Sequence, residues 1–394
     1  MCGRASDFKL FHVIKDEGPR RPGRQPTLAW FIVDIVAFLA ESLSLDPFIF
    51  IVCQNGAEKP LKAHAALSNA WRLAFSRPGL LTLKYVGLEG QERQFTSPLI
   101  RLSGTGLGSV RGELADECFE KVWQLASVAT HNGQPIKWDG IHIFQRDRAL
   151  PGAFRFEPGP SELSESIAQT MKTWLGQRNI SIPINQPANM GQRVLDIVLS
   201  EPQQWFVGHH LVRSVHEQWP GGVPTIVPPA EMISRAYLKM AEALMWGQLP
   251  IDSSDAVVEI GSAPGGASQR LLDMGMSVTG IDAAEMDERI ATHPRFEHWR
   301  AKAAGVKRKM YRKFKWIVID ANVAPNYTLD VIGDIVNFDG GQIEGLLLTF
   351  KLSGWDQLKH LPEQLKHIRM LGFQRVEARQ LAHNRREICV VAQR

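Results

Sequence analysis

The sequence predicts an α/β protein with a doubly wound, mainly parallel sheet in its C-terminal part and an α+β region before it. From residue 231 onward, short apolar runs alternate with helical patterns, as in a sheet covered by helices on both faces. Several of these runs are apolar enough for strands buried on both faces. A glycine-rich turn follows the first run, at a place where such sheets bind ligands.

Composition supports a folded, multi-domain chain. The 394 residues are enough for two or three domains at about 100–200 residues each. Hydrophobic residues make up 44% and charged residues 22%, which excludes a disordered protein. The four cysteines are scattered, with no CxxC pair and no clustered histidines that could complete a zinc site. We therefore expect a cytoplasmic protein without a metal, and the sequence leaves the oligomeric state open.

Residues 1–47 are predicted to be an N-terminal extension. Their apolar run, 28–45, follows basic residues but is interrupted by Asp34 and Glu41. Each carboxylate inside a membrane span would cost about 2–3 kcal/mol, so we expect no membrane helix here.

The next region, 48–219, is predicted to have α+β structure. The expected elements are strands at 48–53 and 81–86, helices at 61–75, 114–129 and 162–177, a glycine- and serine-rich loop at 103–112, a linker or long turn at 150–160, and a hairpin of strands 192–200 and 204–210.

A linker rich in glycine and proline, 220–229, marks the predicted domain boundary, and 220–394 forms the C-terminal domain. The expected helices are 231–246, ended by Gly247, then 268–274 and 358–368. The expected strands are 256–260, 276–282, 316–320, 345–351, 375–380 and 387–392.

The strongest local motif is the turn after strand 256–260. It reads Glu259-Ile260-Gly261-Ser262-Ala263-Pro264-Gly265-Gly266 and leads into a helix, whose free N–H groups suit a ligand. The turn is not GxGxxG, so a pyrophosphate cradle fits poorly. Asp282 ends the next strand and is suitably placed for ribose hydroxyls. A nucleoside without a pyrophosphate is expected, most commonly S-adenosylmethionine; the alternative is a turn without a ligand.

The basic residues are concentrated in one block. Between Arg300 and Lys315 lie eight basic residues and no acidic one. They are Arg300, Lys302, Lys307, Arg308, Lys309, Arg312, Lys313 and Lys315. Such a block either contacts RNA phosphates through its charge or is a solvated loop.

Three segments carry a family resemblance. The 261–266 turn resembles the cofactor loop of FtsJ-like RNA ribose 2′-O-methyltransferases. The segment Ala378-Arg379-Gln380-Leu381-Ala382-His383, with Arg386-Glu387, resembles the ending of the ribosomal RNA large subunit methyltransferase M family, and Ser234-Arg235-Ala236-Tyr237-Leu238-Lys239 is similar to its entry helix. The resemblance covers about 205–394. It implies a Rossmann-like methyltransferase sheet and, by position, a THUMP-like RNA-binding region over 48–219.

The resemblance also implies a catalytic tetrad. The matching positions are Lys239, Asp320, Lys351 and Glu387. Taken singly, each residue also has an ordinary structural explanation, such as a helix cap or a strand-end charge. Burial and Lys239 are expected to lower the pKa of Lys351, and the two carboxylates to oppose this shift. Lys351 would then accept or steer the 2′-hydroxyl proton, with Asp320 and Lys239 positioning it and Glu387 holding the network.

The implied cofactor is S-adenosylmethionine and the implied substrate is 23S ribosomal RNA, with a cytidine ribose as target. The predicted cofactor-binding residues are Glu259, Gly261, Ser262, Ala263, Pro264, Gly265, Gly266, Asp282 and Asp320. The basic block is expected on the same side of the sheet as the tetrad. Two departures from the class, Ala267 in place of an aromatic residue and no acid after Trp299, leave open a non-enzymatic RNA-binding protein. A methyltransferase for tRNA or another RNA is the other alternative.

Overall fold

The computed structural model describes residues 48–87 and 94–394. The predictions for residues 1–47 lie outside these ranges. All described residues belong to one compact unit that contains two seven-stranded sheets, and the division at 219/220 stays a prediction. None of the helices in the described ranges combines the length and apolar character that a bilayer crossing requires.

The first sheet is mixed and has the strand order β2-β3-β1-β4-β9-β8-β7. Its strands are β1 (Phe48–Val52), β2 (Trp71–Arg77), β3 (Leu80–Tyr85), β4 (Leu102–Arg111), β7 (Gly140–Gln145), β8 (Arg193–Glu201) and β9 (Gln204–Leu211); β5 (Thr130–His131) and β6 (Gln134–Pro135) pair separately. The helices of this region are α1 (Glu58–Leu67), α2 (Ala115–Val128) and α3 (Glu162–Gly176). The antiparallel β8–β9 hairpin is where the sequence predicts it.

Two local predictions for this region are wrong. The predicted helix 61–75 ends at Leu67, because the chain from Trp71 pairs with β3 and buries the Trp71 ring beside Tyr85. The predicted loop 103–112 is strand β4, paired with β1 and β9. Its glycines make room for aromatic rings: a Cβ on Gly104 would lie 2.6 Å from Phe50 Cε1.

The second sheet has the order β12-β11-β10-β13-β14-β16-β15. Its strands are β10 (Ala256–Ile260), β11 (Ser277–Ile281), β12 (Phe296–Trp299), β13 (Trp316–Ile319), β14 (Gly345–Lys351), β15 (Arg375–Arg379) and β16 (Glu387–Gln393); the helices are α4 (Ala236–Gly247), α5 (Gly266–Asp273), α6 (Glu288–Ala291), α7 (Pro325–Val336) and α8 (Leu361–Met370). Strands β10 to β14 are parallel, and β16 lies antiparallel between β14 and β15. The predicted mainly parallel sheet is confirmed.

Alternate side chains of the central strands enter two different cores. Leu346 and Leu348 of β14 pack into the core on one face, and Leu347 packs into the core on the other. All three are at most 3% exposed. This double burial explains the continuous apolar run in the sequence.

The strand order reverses beside β10. Strand β11 pairs with one edge of β10 and β13 pairs with the other, so the chain leaves their carboxyl ends in opposite directions. Open α/β sheets bind ligands in the crevice that forms at such a switch point. The glycine-rich turn and Asp320 both follow strands at this edge.

Candidate active site

The turn between β10 and α5 depends on glycine. Gly261 has φ +82°, in the left-handed region, and a Cβ there would lie 2.6 Å from Ala321 Cα, which follows β13. At Gly266, a Cβ would lie 2.1 Å from Ser234 Oγ. The turn therefore packs tightly between the segment before α4 and the segment after β13, while the first N–H groups of α5 remain without intrahelical acceptors.

Asp282 ties this turn to the segment that follows β11. Its Oδ2 accepts a hydrogen bond from the Ala263 N–H (3.1 Å), and its Oδ1 accepts one from the Ala284 N–H (2.9 Å). A carboxylate has about four lone-pair sites, so both oxygens can accept further bonds. The predicted ribose contact of Asp282 is compatible with this geometry.

Glu259 lies beneath the turn. Its side chain is 1% exposed and accepts a hydrogen bond from the Ser268 hydroxyl on α5. Burial raises the pKa of Glu259 to about 8, and the nearby Asp320 and Asp282 add to this shift. Glu259 therefore supports the turn from inside the protein, and its predicted contact with the cofactor stays a prediction.

The four tetrad residues come from different elements and converge in one network. Lys239 Nζ on α4 donates a hydrogen bond to Glu387 Oε2 at 2.6 Å. Lys351 Nζ donates to Asp320 Oδ1 and to Glu387 Oε1, both at 2.7 Å. The result is a chain of alternating charge, Lys239–Glu387–Lys351–Asp320, with equal numbers of cations and anions.

Strand pairing fixes the centre of this network. Lys351 is the last residue of β14 and Glu387 the first of β16, and the antiparallel register places them directly opposite each other. Cross-strand neighbours have Cβ atoms about 4.5–5.5 Å apart, within reach of an ion pair. The two side chains are 20% and 12% exposed, so water screens their interaction only in part.

The electrostatics correct one sequence expectation. Burial does lower the pKa of Lys351, but the adjacent Asp320 and Glu387 carboxylates outweigh it, and the pKa of Lys351 is raised above its ordinary value. For Glu387, burial favours a higher pKa, yet Lys239 and Lys351 hold the pKa below its usual range. At neutral pH the centre is therefore an ammonium group between carboxylates.

Helix α4 also positions the loop that precedes Glu387, which sequence reasoning missed. Glu242 on α4 is 4% exposed and accepts hydrogen bonds from the Ala382 N–H (2.7 Å) and the His383 N–H (2.9 Å). His383 Nδ1 lies 2.8 Å from the same carboxylate. Glu242 lies one turn beyond Lys239 in an apolar helix, and this isolated carboxylate is the signal that could have revealed it.

Comparison with known proteins adds family evidence. Residues 232–340 match the model of the FtsJ-like methyltransferase family. The FtsJ-like resemblance is confirmed over these residues. The segment includes the glycine-rich turn, Lys239 and Asp320, whereas Lys351 and Glu387 lie beyond it.

Curated relatives carry the name ribosomal RNA large subunit methyltransferase M. The protein from Halorhodospira halophila is 28% identical over 207 residues, covering 52% of this chain and 58% of the relative. The one from Xanthomonas euvesicatoria pv. vesicatoria is 29% identical over 205 residues, covering 48% and 56%. The chain thus spans about half the length of the curated relatives it matches.

Among solved structures, the fibrillarin pre-rRNA processing protein of Methanococcus jannaschii is 14% identical, with a TM-score of 0.33 over 50% of this chain and 81% of that one. This likeness is too weak to support a conclusion about the fold or the function of this protein.

The basic block does not lie wholly beside the tetrad. It leaves the carboxyl end of β12 but returns to the amino end of β13, which is the opposite edge of the sheet. Lys315 contacts Asp255 (3.2 Å) and Glu344 (3.7 Å), just before the amino ends of β10 and β14. The expectation that the whole block shares the side of the tetrad is therefore wrong for its second half.

Several members of the block are bound within the protein. Arg308 pairs with Asp334 at 2.8 Å, and Arg312 donates to the Asp339 carbonyl at 2.8 Å. Lys313 pairs with Glu297 at 2.9 Å, and Arg300 with Glu285 at 3.2 Å. The exposed side chains without such a contact in the described structure are Lys302, Lys307 and Lys309.

A second basic surface lies in a cleft of about 540 Å³ beside the first sheet. Arg193, Arg213 and Arg379 line it, together with His131 and His209. The Arg379 guanidinium donates a hydrogen bond to the Arg101 carbonyl oxygen, and Glu217 is an acidic member of the lining. Cationic side chains are therefore gathered where the N-terminal region meets β15.

Proposed function

We propose that this protein is an S-adenosylmethionine-dependent RNA ribose 2′-O-methyltransferase. The observation that carries the proposal is the convergence of Lys239, Asp320, Lys351 and Glu387 at the carboxyl edge of the sheet. Asp320 follows β13, the strand beside β10, so this network adjoins the glycine-rich turn. The FtsJ-like match over 232–340 supports the same reaction class.

The turn fits the proposed cofactor. Gly261 keeps the backbone open to close approach, the α5 N-terminus offers free N–H groups, and Asp282 offers acceptors suited to ribose hydroxyls. When bound, S-adenosylmethionine supplies an electrophilic methyl group. Gly265, Gly266, Ser262, Ala263 and Pro264 complete the proposed binding turn.

The tetrad would act on the ribose hydroxyl through orientation. Because its pKa is raised, Lys351 remains an ammonium group and donates a hydrogen bond that fixes the hydroxyl oxygen. Asp320 accepts the hydroxyl hydrogen as the oxygen is alkylated. Lys239 and Glu387 hold Lys351 in place from the side of α4 and β16. This assignment favours steering by Lys351 over proton abstraction.

The proposed substrate is 23S ribosomal RNA, with a cytidine ribose as target, and the proposed location is the cytoplasm. The relatives' name supports the rRNA substrate. We extend the proposal to the region 48–219 as a THUMP-like RNA-binding part, with the arginine-lined cleft as its contact to the phosphate backbone.

The direct test is transfer of labelled methyl from S-adenosylmethionine to purified 23S RNA lacking the modification, followed by digestion and identification of the 2′-O-methylnucleoside. We expect transfer by the wild-type protein. Lys351→Ala should reduce the rate at least about 100-fold, as expected when a residue that acts in the transition state is removed. Lys359→Ala, which changes an exposed lysine, should keep wild-type activity.

Two results would contradict the proposal. Wild-type rates in Lys351→Ala would remove the tetrad from the mechanism. Absence of cofactor binding by calorimetry, together with firm RNA binding, would favour a non-enzymatic RNA-binding protein. Methylation mapping of cellular RNA with and without the protein separates 23S RNA from tRNA or another RNA as substrate.

The pH dependence distinguishes steering from proton abstraction by Lys351. Steering needs the ammonium form, so kcat/KM should stay level through neutral pH and fall only as Lys351 loses its proton, above its ordinary value of about 10.4. A tenfold rise in rate per pH unit up to that value would instead show that neutral Lys351 is the base. Cofactor affinity measured over the same range is the control.

A further inference from the structure

Three buried polar side chains meet on one face of the first sheet, whereas the proposed catalytic tetrad belongs to the second sheet and its helix α4. His142 lies on β7, Asp196 on β8 and His210 on β9, and their exposed fractions are 0%, 0% and 4%. His142 pairs directly with Asp196, and His210 pairs with Val194, two residues before Asp196 on the same face. Adjacent strands thus bring together residues that are far apart in the chain.

The two imidazole rings are held in the same way. His142 Nε2 lies 3.1 Å from the Gln186 carbonyl oxygen, and His210 Nε2 lies 2.8 Å from the Glu217 carbonyl oxygen. A carbonyl can only accept, so each Nε2 carries a proton. This leaves a lone pair on His142 Nδ1 on the inner side, whereas His210 Nδ1 donates its proton to the Asp196 carboxylate and would offer a lone pair once a metal displaces that proton. A hydrogen bond from the outer nitrogen to a backbone carbonyl is the usual support of a metal-binding histidine.

Within the described residues, two of the atoms that face one another inside the cluster have no hydrogen-bond partner. His142 Nδ1 and Asp196 Oδ1 are both buried without a hydrogen-bond partner in the described structure. His210 Nδ1 lies 2.6 Å from Asp196 Oδ2. The candidate ligand atoms of the three residues all lie within 4.8 Å of one another. Lone pairs and a carboxylate that face each other in a dry interior are unfavourable unless a cation or a proton donor lies between them.

We propose that His142, Asp196 and His210 bind a divalent transition metal, with zinc as the expected ion. Two imidazole nitrogens and one carboxylate are a common ligand set for zinc, and a water molecule would complete the tetrahedron. Metal–ligand distances of about 2.0–2.2 Å separate tetrahedral ligand atoms by about 3.3 Å. Binding would therefore widen the contact between His210 and Asp196 by several tenths of an ångström and draw together ligand atoms that now lie farther apart, within the 4.8 Å that encloses the cluster.

The cleft beside the cluster would let the ion enter, and Asp196 would offset one of its two positive charges. His210 lines the cleft of about 540 Å³ that also contains His209 and Arg193, which gives the ion and its water a path from solvent. Asp196 supplies one negative charge, while the Glu217 carboxylate is bound to the Arg213 N–H. The site would tie three strands together at the inner end of this cleft.

The test is the metal content of the intact protein, purified without a histidine tag from zinc-supplemented medium and dialysed. We expect one zinc per chain, and cobalt substitution should give the visible absorption of a tetrahedral site with nitrogen and oxygen ligands. Asp196→Asn and His142→Gln, checked for folding by circular dichroism, should retain less than about a tenth of the zinc. His131→Gln is the matched control, since this exposed histidine should not change the metal content.

Wild-type protein that folds but holds neither zinc nor cobalt would overturn the proposal, and a buried water would then bridge His142 and Asp196. Zinc that disappears equally in His131→Gln would also overturn it. Both measurements are independent of methyl transfer, so they separate this inference from the proposed function.

Discussion

At the scale of the residue, the candidate active site contains positions where a single added or removed atom would disturb the local geometry. Gly261 is such a position, because its φ is +82° and a Cβ added to it would lie only 2.6 Å from Ala321 Cα, so both its backbone and its surroundings oppose any side chain. The network around Lys351 is another, because each of its two carboxylate contacts is 2.7 Å long. We expect that neither feature tolerates a change that looks conservative in sequence.

Gly261→Ala should weaken cofactor binding at least about tenfold and destabilise the fold by about 1–3 kcal/mol, the usual cost of a strained backbone. Calorimetric titration with S-adenosylmethionine and urea unfolding measure the two effects. Gly333→Ala is the matched control: Gly333 lies within α7 with no atom near its missing Cβ, so alanine should stabilise the helix by up to about 1 kcal/mol. Unchanged cofactor affinity in Gly261→Ala would contradict the proposed binding turn.

Glu259 gives a stability prediction with a definite sign. Its pKa is about 8 in the folded protein and near 4.3 when unfolded, so the folded state binds more protons between these values. The contribution of Glu259 to the free energy of unfolding should therefore be greatest below about pH 4.3 and decline as pH rises towards 8. Glu259→Gln, which stays neutral, should reduce this decline; urea midpoints at about pH 5.5 and about pH 8 that shift equally in both proteins would contradict the prediction.

At the scale of the element, helix α4 holds the last loop of the sheet in place. Lys239 reaches Glu387, and Glu242 accepts two backbone N–H groups of the 381–383 segment. Burial opposes ionisation of Glu242, but the bonds from His383 and Ala382 outweigh it and keep the pKa of Glu242 below its ordinary value. This contribution to stability is present above the unfolded pKa and is lost as pH falls through the folded one.

Glu242→Gln should cost about 3 kcal/mol in unfolding free energy, because it breaks a buried charged contact, and it should reduce methyl transfer because Glu387 follows the same loop. Urea unfolding and kcat measure the two effects. Glu363→Gln, at an exposed position of α8, should change neither. Full activity in a destabilised Glu242→Gln protein would show that the loop does not position Glu387.

Elements that consist of apolar residues along their whole length could be predicted from the sequence. Strand β14 is apolar along its length and falls at the predicted bounds. Strand β4 could not be recognised, because its glycines suit the rings of Phe48 and Phe50 on a neighbouring strand, which local patterns do not show. The family resemblance indicated four catalytic candidates. The raised pKa of Lys351 could not be predicted, because it depends on the distances from Lys351 to the Asp320 and Glu387 carboxylates.

The cluster of His142, Asp196 and His210 shows the same limit. Spacings of more than ten residues carry no metal motif, and the pairing of β7, β8 and β9 alone brings these side chains together. The basic block was visible in composition, but the direction of β12 and β13 determines which edge of the sheet each lysine reaches.

At the scale of the whole molecule, the distribution of positive charge separates two possible RNA paths. One runs over Lys302, Lys307 and Lys309, the exposed part of the basic block, and the other along the cleft of Arg193, Arg213 and Arg379. The cleft joins the N-terminal region to β15 of the second sheet, so RNA bound there would contact both parts of the chain.

Arg193→Ala and Arg213→Ala should each weaken RNA binding and reduce the dependence of log K on log salt by about 0.7–0.9 for each phosphate that the variant no longer binds. Filter binding between about 50 and 200 mM salt, a range in which such interactions differ measurably, tests this. Lys172→Ala, an exposed lysine on α3, is the control, and cofactor affinity should be unchanged. A larger decrease in affinity in Lys307→Ala than in either arginine variant would assign the RNA path to the block instead.

The placement of β16 has a consequence for biosynthesis. This strand is the last to emerge from the ribosome among those described, yet it inserts between β14 and β15 and brings Glu387 to Lys351. A nascent chain that has already produced the glycine-rich turn still lacks one of the four charged residues of the tetrad. A truncated chain that ends before residue 387 would therefore lack both the strand that joins β14 to β15 and the carboxylate that links Lys239 to Lys351.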